Sequence, residues 1–253
     1  MKTLPVIERV GEPVAHGSVS KMVKDSHAVS FGRSSVFGYC WEGCRLHDGC
    51  YAGKLERIRS NLRRKLERVA SFHPVAVAEA ALHEMPRRFS WFRLCVHGSV
   101  PRRQDFKSRA EWLRFVAAIV RLCREALKSG ADVHFPIESP AKCRTWRAAF
   151  KAAGLPVVVR RSVQSDEAGV IRAKEPRAFG VVADGQSIHA GGVHRKQVAQ
   201  NRAEAAAMAE RVRASGSTCV VCPFGSRVNS LKCGQCTACS DSRVDVVLYP
   251  LHG

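Results

Sequence analysis

The residues best suited to chemistry in this chain are cysteines near its N-terminus. Cys40, Cys44 and Cys50 form a C-x3-C-x5-C pattern within eleven residues. Three thiolates on one loop can hold three irons of a [4Fe–4S] cube and leave the fourth iron open to a ligand. His47 lies inside the same loop and offers a fourth ligand for zinc, which takes four ligands at structural sites. The pattern therefore predicts a bound metal, either iron–sulfur or zinc.

A second cluster near the C-terminus predicts another metal. It contains Cys219, Cys222, Cys233, Cys236 and Cys239. The first four make C-x2-C-x10-C-x2-C, which is a zinc-ribbon spacing. The last three make C-x2-C-x2-C, and a Cys-Pro pair precedes them, as in ferredoxin-type [4Fe–4S] sites. The spacing leaves zinc and a second [4Fe–4S] cluster open. Three scattered thiols are predicted to be small buried hydrophobes: Cys95, Cys123 and Cys143.

The charge of the chain predicts a polyanionic partner. Lys and Arg number 41 against 22 Asp and Glu, which gives a net charge of +19. Such a surface attracts nucleic acid, although a merely solvated charged face has the same composition. Residues 54–71 read as a helix with one apolar stripe. The predicted contacts with DNA or RNA are arginines off that stripe, namely Arg63, Arg64 and Arg68.

The N-terminus and the hydropathy pattern predict a cytoplasmic protein without membrane association. Glu8 and Glu12 stand where the apolar core of a signal peptide would lie. The longest apolar stretches are too short to span a bilayer. Because the cytoplasm keeps thiols reduced, metal binding or catalysis is a better interpretation of the clustered cysteines than disulfide bonding.

Strand-like and helix-like segments alternate along the chain. The predicted strands are 91–98, 132–137, 155–162, 177–185, 217–221 and 243–250. The predicted helices are 54–71, 74–85, 108–130, 139–154 and 194–216. This order favours an α/β fold of βα units, with a mostly parallel sheet that is open or forms a partial barrel. The predicted domains are an irregular N-terminal segment (1–39), an α/β core (40–216) and a metal-binding C-terminal element (217–253).

Several polar residues follow predicted strands, where parallel sheets bind their ligands. His97, Gly98 and Ser99 end one strand, and Glu138 ends the next. Glu138 is predicted to accept a hydrogen bond from a ribose hydroxyl, or else to stabilise the helix dipole behind it. Arg160 and Arg161 are predicted to hold a carboxylate or phosphate, or to be solvated charges.

The cysteine loop resembles the one that defines the radical SAM superfamily. Cys40, Cys44 and Cys50 match it in number, N-terminal placement and C-x3-C opening, with Tyr51 beside the last cysteine; the second gap is five residues instead of two. The resemblance implies a partial α/β barrel, a catalytic [4Fe–4S] cluster and S-adenosylmethionine. It also implies that residues 97–99 (HGS) contact the amino group of that cofactor. The implied reaction is radical abstraction of hydrogen from a substrate.

The chain also resembles a family of phage cysteine-cluster proteins. The shared motifs are CYA at 50–52, HGS at 97–99, CP at 222–223, CGQCTAC at 233–239 and HG at 252–253. They cover the chain from about Tyr39 to its end. The resemblance implies a phage or prophage origin, and hence the cytoplasm of the host cell. The resemblance implies where the site residues lie in the chain, but it implies no reaction.

Overall fold

A computed structural model describes residues 26–31, 56, 59–95, 99–164, 178–181, 195–222 and 236–249. The strands are Ser26–Val29 (β1), Trp91–Leu94 (β2), Asp132–Ile137 (β3), Val159–Gln164 (β4), Ala178–Val181 (β5), Cys219–Val221 (β6) and Val246–Tyr249 (β7). The α-helices are Ser60–Ala70 (α1), Pro74–His83 (α2), Arg109–Lys128 (α3), Pro140–Ala152 (α4) and Arg195–Ala214 (α5). A 3-10 turn covers Arg103–Asp105.

The strands of the described residues form one seven-stranded sheet in the order β1-β2-β3-β4-β5-β7-β6. Every pairing between neighbours is parallel. The predicted α/β class and parallel sheet are therefore confirmed. Within the described part of the chain, β1 and β6 are the two edges, so the sheet is open and not a closed barrel.

Local sequence signals set the ends of the central helices. Ser108 caps α3, because its side chain accepts a hydrogen bond from Glu111 N at 3.1 Å. Ser139 caps α4 in the same way, and Pro140 occupies the first helical position. Gly130 follows α3 with a φ of 80°, a conformation that glycine adopts without steric cost. Ser108 and Ser139 thus mark the starts of α3 and α4, and Gly130 marks the end of α3.

The first strand was not apparent in the sequence. β1 lies within the segment 1–39, for which no regular structure is predicted, yet it pairs with β2 from Ser26↔Trp91 to Val29↔Leu94. At four residues, it is too short to display a hydrophobic period. The first cysteine cluster follows β1 in chain order and lies outside the described residues.

One side of the sheet, here called the helix face, carries the core. Val133, Phe135 and Ile137 of β3 lie there among buried residues of α3 and α4. Ala205, Ala209 and Val212 of α5 pack against Val246 and Leu248 of β7. The pairings Ile137↔Arg161, Arg161↔Ala178 and Ala178↔Val246 put these two packed regions on the same side. From β1 to β5 each strand is added on the same side of the previous one, and right-handed crossovers between such strands place all the connecting helices on one face of the sheet.

On the opposite side, here called the second face, the described part of the C-terminal cysteine segment packs against the sheet. β7 follows β6 in the chain but lies between β5 and β6, so the β6–β7 connection runs back across the sheet. A right-handed connection in that direction must cross the second face. In agreement, Ala238, Cys239 and Val244 pack against Val247, whose side chain points away from the helix face.

Candidate functional site

A buried polar cluster joins the carboxyl ends of β2 and β3. Lys142 Nζ donates to Ser99 Oγ at 2.8 Å and to Glu138 Oε1 at 2.9 Å. Ser99 Oγ in turn donates to Glu138 Oε2 at 2.7 Å. The three side chains thus form a closed ring in which the lysine is a double donor and the carboxylate a double acceptor. We call these three residues the Ser-Glu-Lys ring.

Local structure brings the ring together. Glu138 directly follows β3, and Lys142 lies in the first turn of α4, so they are four residues apart across the start of a helix. Ser99 arrives from the segment after β2. That strand is followed by Cys95, whose φ of 60° is unusual for a residue other than glycine. The chain turns sharply there, at the carboxyl edge of the sheet.

Burial makes the Ser-Glu-Lys ring a preorganised acceptor. Ser99 is 3% exposed and Lys142 is 7% exposed, while the Glu138 side chain keeps 18% of its surface. Glu138 is therefore the member of the ring that a ligand can reach. Its carboxylate is held in one orientation by two hydrogen-bond donors, which suits it to accept a bond from a ligand hydroxyl or ammonium group.

Two of the predicted cofactor-binding residues meet in this ring, and one partner was missed. Ser99 and Glu138 are in contact, whereas His97 and Gly98 lie outside the described residues. Lys142 was not predicted, since lysines in a chain with 41 basic residues carry little signal. Its position four residues after Glu138, next to the helix-capping Ser139, is the pattern that would have indicated it.

The second face of the sheet carries basic side chains. Arg93 of β2 lies beside His134 of β3 in the parallel register, and Arg160 lies beside Pro136. Burial, together with the charges of Arg93 and Arg160, holds the pKa of His134 well below its ordinary value of 6.5. His134 stacks on Trp91 with ring centroids 5.8 Å apart. It is therefore a neutral ring within a positively charged layer.

Arg160 binds backbone oxygens instead of the carboxylate or phosphate considered above. Its guanidinium donates to the carbonyls of Ala238 (2.8 Å), Cys239 (2.6 Å) and Asp241 (2.8 Å). Another nitrogen donates to the carbonyl of Val244 at 3.0 Å. Arg160 is 0% exposed. It attaches the C-terminal cysteine segment to the middle of the sheet.

The C-terminal cysteines are divided between the two faces. Cys219 packs with α5 on the helix face, and burial raises its thiol pKa to about 11. Cys222 packs beside Cys239 and Val247 on the second face. Cys236 is half-buried in the same segment as Cys239, and Cys233 lies outside the described residues. This placement favours the C-x2-C-x2-C interpretation over a zinc ribbon that begins at Cys219.

The predictions for the remaining cysteines are confirmed in part. Cys95, Cys123 and Cys143 are buried in the helix-face core, as predicted. Cys40, Cys44 and Cys50 lie outside the described residues, so their metal stays a prediction. Where the structure does describe the chain, no group of three or more His, Cys, Asp and Glu side chains is gathered closely enough to hold a metal ion.

The basic helix is oriented as its pattern predicts. In α1, Leu66 and Val69 are buried, while Arg63, Arg64 and Arg68 are exposed. Arg63 forms an ion pair with Glu67 at 3.0 Å, which leaves two of the three predicted contacts outside that pair. No helix in the described ranges has both the length and the apolar character needed to cross a membrane.

Comparisons with known proteins add no family to this description. No protein-family model, no curated protein and no solved structure matches the chain. The fold and the site define its class as an α/β protein with an open parallel sheet, a Ser-Glu-Lys ring at the carboxyl edge and a cysteine segment on the second face.

Proposed function

We propose that this chain is an iron–sulfur enzyme of radical SAM-like architecture, of phage or prophage origin. The observation that supports the proposal is the order of elements. The segment with Cys40, Cys44 and Cys50 follows β1 and precedes α1, so it leaves the sheet at its carboxyl edge. The Ser-Glu-Lys ring lies at that edge on the next two strands. In this proposal the three thiolates act at the same edge of the sheet as the fixed Glu138 carboxylate.

The proposed site divides its work between cofactors and protein. Cys40, Cys44 and Cys50 would hold a [4Fe–4S] cluster, whose open iron and reducing electron would supply radical chemistry with S-adenosylmethionine when both are bound. Glu138 would accept a hydrogen bond from a hydroxyl or amino group of that ligand. Ser99 and Lys142 hold the Glu138 carboxylate in place. The partial-barrel interpretation is supported by the consecutive order of β1 to β5 and by helices confined to one face.

Iron analysis tests the proposal directly. Protein purified without oxygen should be brown, with the broad absorption of sulfur-to-iron charge transfer. Simultaneous replacement of Cys40, Cys44 and Cys50 with alanine should remove part of the bound metal and leave the rest, because the C-terminal cysteines are proposed to hold a separate metal, either zinc or iron–sulfur. Cys123→Ala is the matched control, since that thiol is buried in the core. Reconstituted wild-type protein that contains zinc and no iron would rule the enzyme out.

A second candidate is a zinc-stabilised nucleic-acid-binding protein without catalytic activity. The observation that favours it is the exposed basic surface of α1, with Arg59, Lys65 and the three predicted contact arginines at the surface. Its apolar residues, Leu66 and Val69, are turned inward, so the helix presents charge to the outside. Phosphate backbones are the natural partners of such a surface.

Salt dependence distinguishes nucleic-acid binding from mere solubility. Conversion of Arg63, Arg64 and Arg68 to glutamate should weaken binding of mixed-sequence DNA or RNA and flatten the dependence of log K on log salt. Each phosphate that the variant no longer neutralises reduces that slope by about 0.9 for duplex DNA. The measurement is filter binding at low and moderate salt, with metal content as the control. If the wild-type protein retains neither DNA nor RNA on the filter, neither polymer is a partner.

A further inference from the structure

Arg160 is held on the second face by several hydrogen bonds to backbone carbonyls. It is fully buried, and its nitrogens reach the carbonyls of Ala238, Cys239, Asp241 and Val244, with a longer contact of 3.5 Å to Asp245. A guanidinium can donate five hydrogen bonds in a fixed planar fork. Here the fork determines the path of residues 238–245, a stretch with few apolar side chains of its own.

A second contact fixes the same segment. Ser240 Oγ donates to Asp132 Oδ1 at 2.9 Å, which ties the segment to the first residue of β3. Thr237 O accepts from the backbone N of both Ser240 and Asp241 at 2.9 Å, so the residues after Cys236 form a closed turn. These contacts hold the backbone that carries Cys236 and Cys239 against the sheet.

The two cysteines at either end of the β6 segment are in opposite environments. Cys219 is 5% exposed among α5 and β7 side chains on the helix face, and Cys222 is 6% exposed beside Val247 on the second face. A sheet is one layer thick, so thiols on its two faces cannot bind one ion. Cys222 shares a cluster with Cys239, and Cys219 does not.

We infer that the C-terminal cysteines form a metal site on the second face, with Cys222, Cys236 and Cys239 as ligands, Cys219 outside it and Arg160 as its positioning residue. This deepens the second-metal part of the proposed function and does not depend on the first cluster. The described sulfurs are not gathered around one point. Metal binding there requires the three thiols to move closer together on a backbone that the contacts of Arg160 and Ser240 hold.

The position of Arg160 suits this role. Its bond to the Cys239 carbonyl fixes the ligand turn from the side of the sheet, as outer partners of metal ligands usually do. Thiolate ligands select zinc or an iron–sulfur cluster.

Matched substitutions at Cys219 and Cys222 test which thiols are ligands. Cys219→Val and Cys222→Val both keep an apolar side chain of similar size at a buried position and replace the thiol with methyl groups. Zinc and iron are then measured by mass spectrometry in anaerobically purified full-length protein. We expect Cys222→Val and Cys236→Ala to lose the same fraction of total metal. Cys219→Val and the core control Cys123→Val should retain the wild-type amount.

The possible failures are distinguishable. Loss of metal from Cys219→Val equal to that from Cys236→Ala would overturn the ligand assignment. Wild-type metal in both Cys222→Val and Cys236→Ala would overturn the site itself. Loss of the N-terminal iron in the Cys40, Cys44 and Cys50 variant, with C-terminal metal intact, would leave this inference standing. Wild-type protein without any iron would end the enzyme proposal and still permit a zinc site here.

Arg160 is tested by metal affinity in variants that circular dichroism shows to be folded as the wild type is. Competition with a chelator should show metal held 10- to 100-fold more weakly in Arg160→Lys and Arg160→Met, the usual effect of removing an outer partner of a metal ligand. Arg161→Met is the matched control, because Arg161 is the next residue on β4 and faces the other side. Unchanged affinity in both Arg160 variants would overturn the positioning role.

Discussion

Replacing Trp146 with alanine should lower the free energy of unfolding by about 3–5 kcal/mol, the usual cost of removing a large aromatic side chain from a core. Trp146 of α4 is 0% exposed. Its ring lies 5.4–6.0 Å, between centroids, from four other aromatic rings, those of Trp112, Phe115, Phe135 and Phe150. No neighbouring side chain can fill the space without leaving its own position in the core.

The same substitution should disturb the Ser-Glu-Lys ring. Trp146 anchors α4 against β3, and Lys142 lies one turn earlier on that helix. Chemical denaturation followed by circular dichroism measures the loss of stability. Arg144→Ala is the control, because Arg144 is exposed on the same helix and should change stability by less than about 0.5 kcal/mol. Equal effects of the two variants would mean that the aromatic cluster does not hold α4.

The architecture was largely predictable because its signals are local. α3 and α4 are long amphipathic segments with a serine cap and a glycine stop, and each signal acts within a few residues. β3 was predicted with its observed bounds, since residues 132–137 are bounded by a glycine-containing turn and a helix cap. Parallel pairing follows from the alternation of such elements. Short strands such as β1 lack these signals and depend on the neighbouring strand.

The site was only partly predictable because the residues that form it are distant in the chain. Ser99 and Glu138 were predicted from their positions after strands, a rule of the fold class. Their hydrogen bond across 39 positions depends on how β2 and β3 lie side by side. Arg160 forms hydrogen bonds with residues that lie 78 to 85 positions further along the chain. No local sequence pattern indicates such contacts. The separation of Cys219 from Cys222 follows from strand alternation, which a spacing motif ignores.

Replacing Lys142 with methionine should destabilise the protein by about 3 kcal/mol, because it leaves a largely buried carboxylate without its cation. The 18% exposure of Glu138 lets water offset part of the loss. Glu138→Gln should cost more, about 3–5 kcal/mol, since Lys142 is then a buried cation without its partner. The double variant should recover about 2 kcal/mol of the summed losses, as expected for groups in direct contact.

The exposed pair Glu125–Lys128 provides the control for this cycle. Its N–O distance, 2.9 Å, equals that of Lys142–Glu138, but its side chains are 38% and 64% exposed. Because water screens such pairs, the corresponding Glu125→Gln and Lys128→Met variants should change stability by less than about 1 kcal/mol each. Burial, and not distance, would then account for the strength of the pair in the ring.

The same variants separate a ligand-binding role of the ring from a structural one. The double variant leaves no buried charge without its partner, but the figures above still make it about 4–6 kcal/mol less stable than the wild type. Circular dichroism must therefore show it folded before binding is measured. If Glu138 accepts a ligand hydroxyl or ammonium, the double variant should bind S-adenosylhomocysteine at least 10-fold more weakly in calorimetry, because a charged acceptor contributes about 1.5–3 kcal/mol. Glu125→Gln should bind as the wild type does. Unchanged binding in the double variant would mean that the Ser-Glu-Lys ring only holds α4 against the strands. A buried ion pair can have that structural role without a ligand.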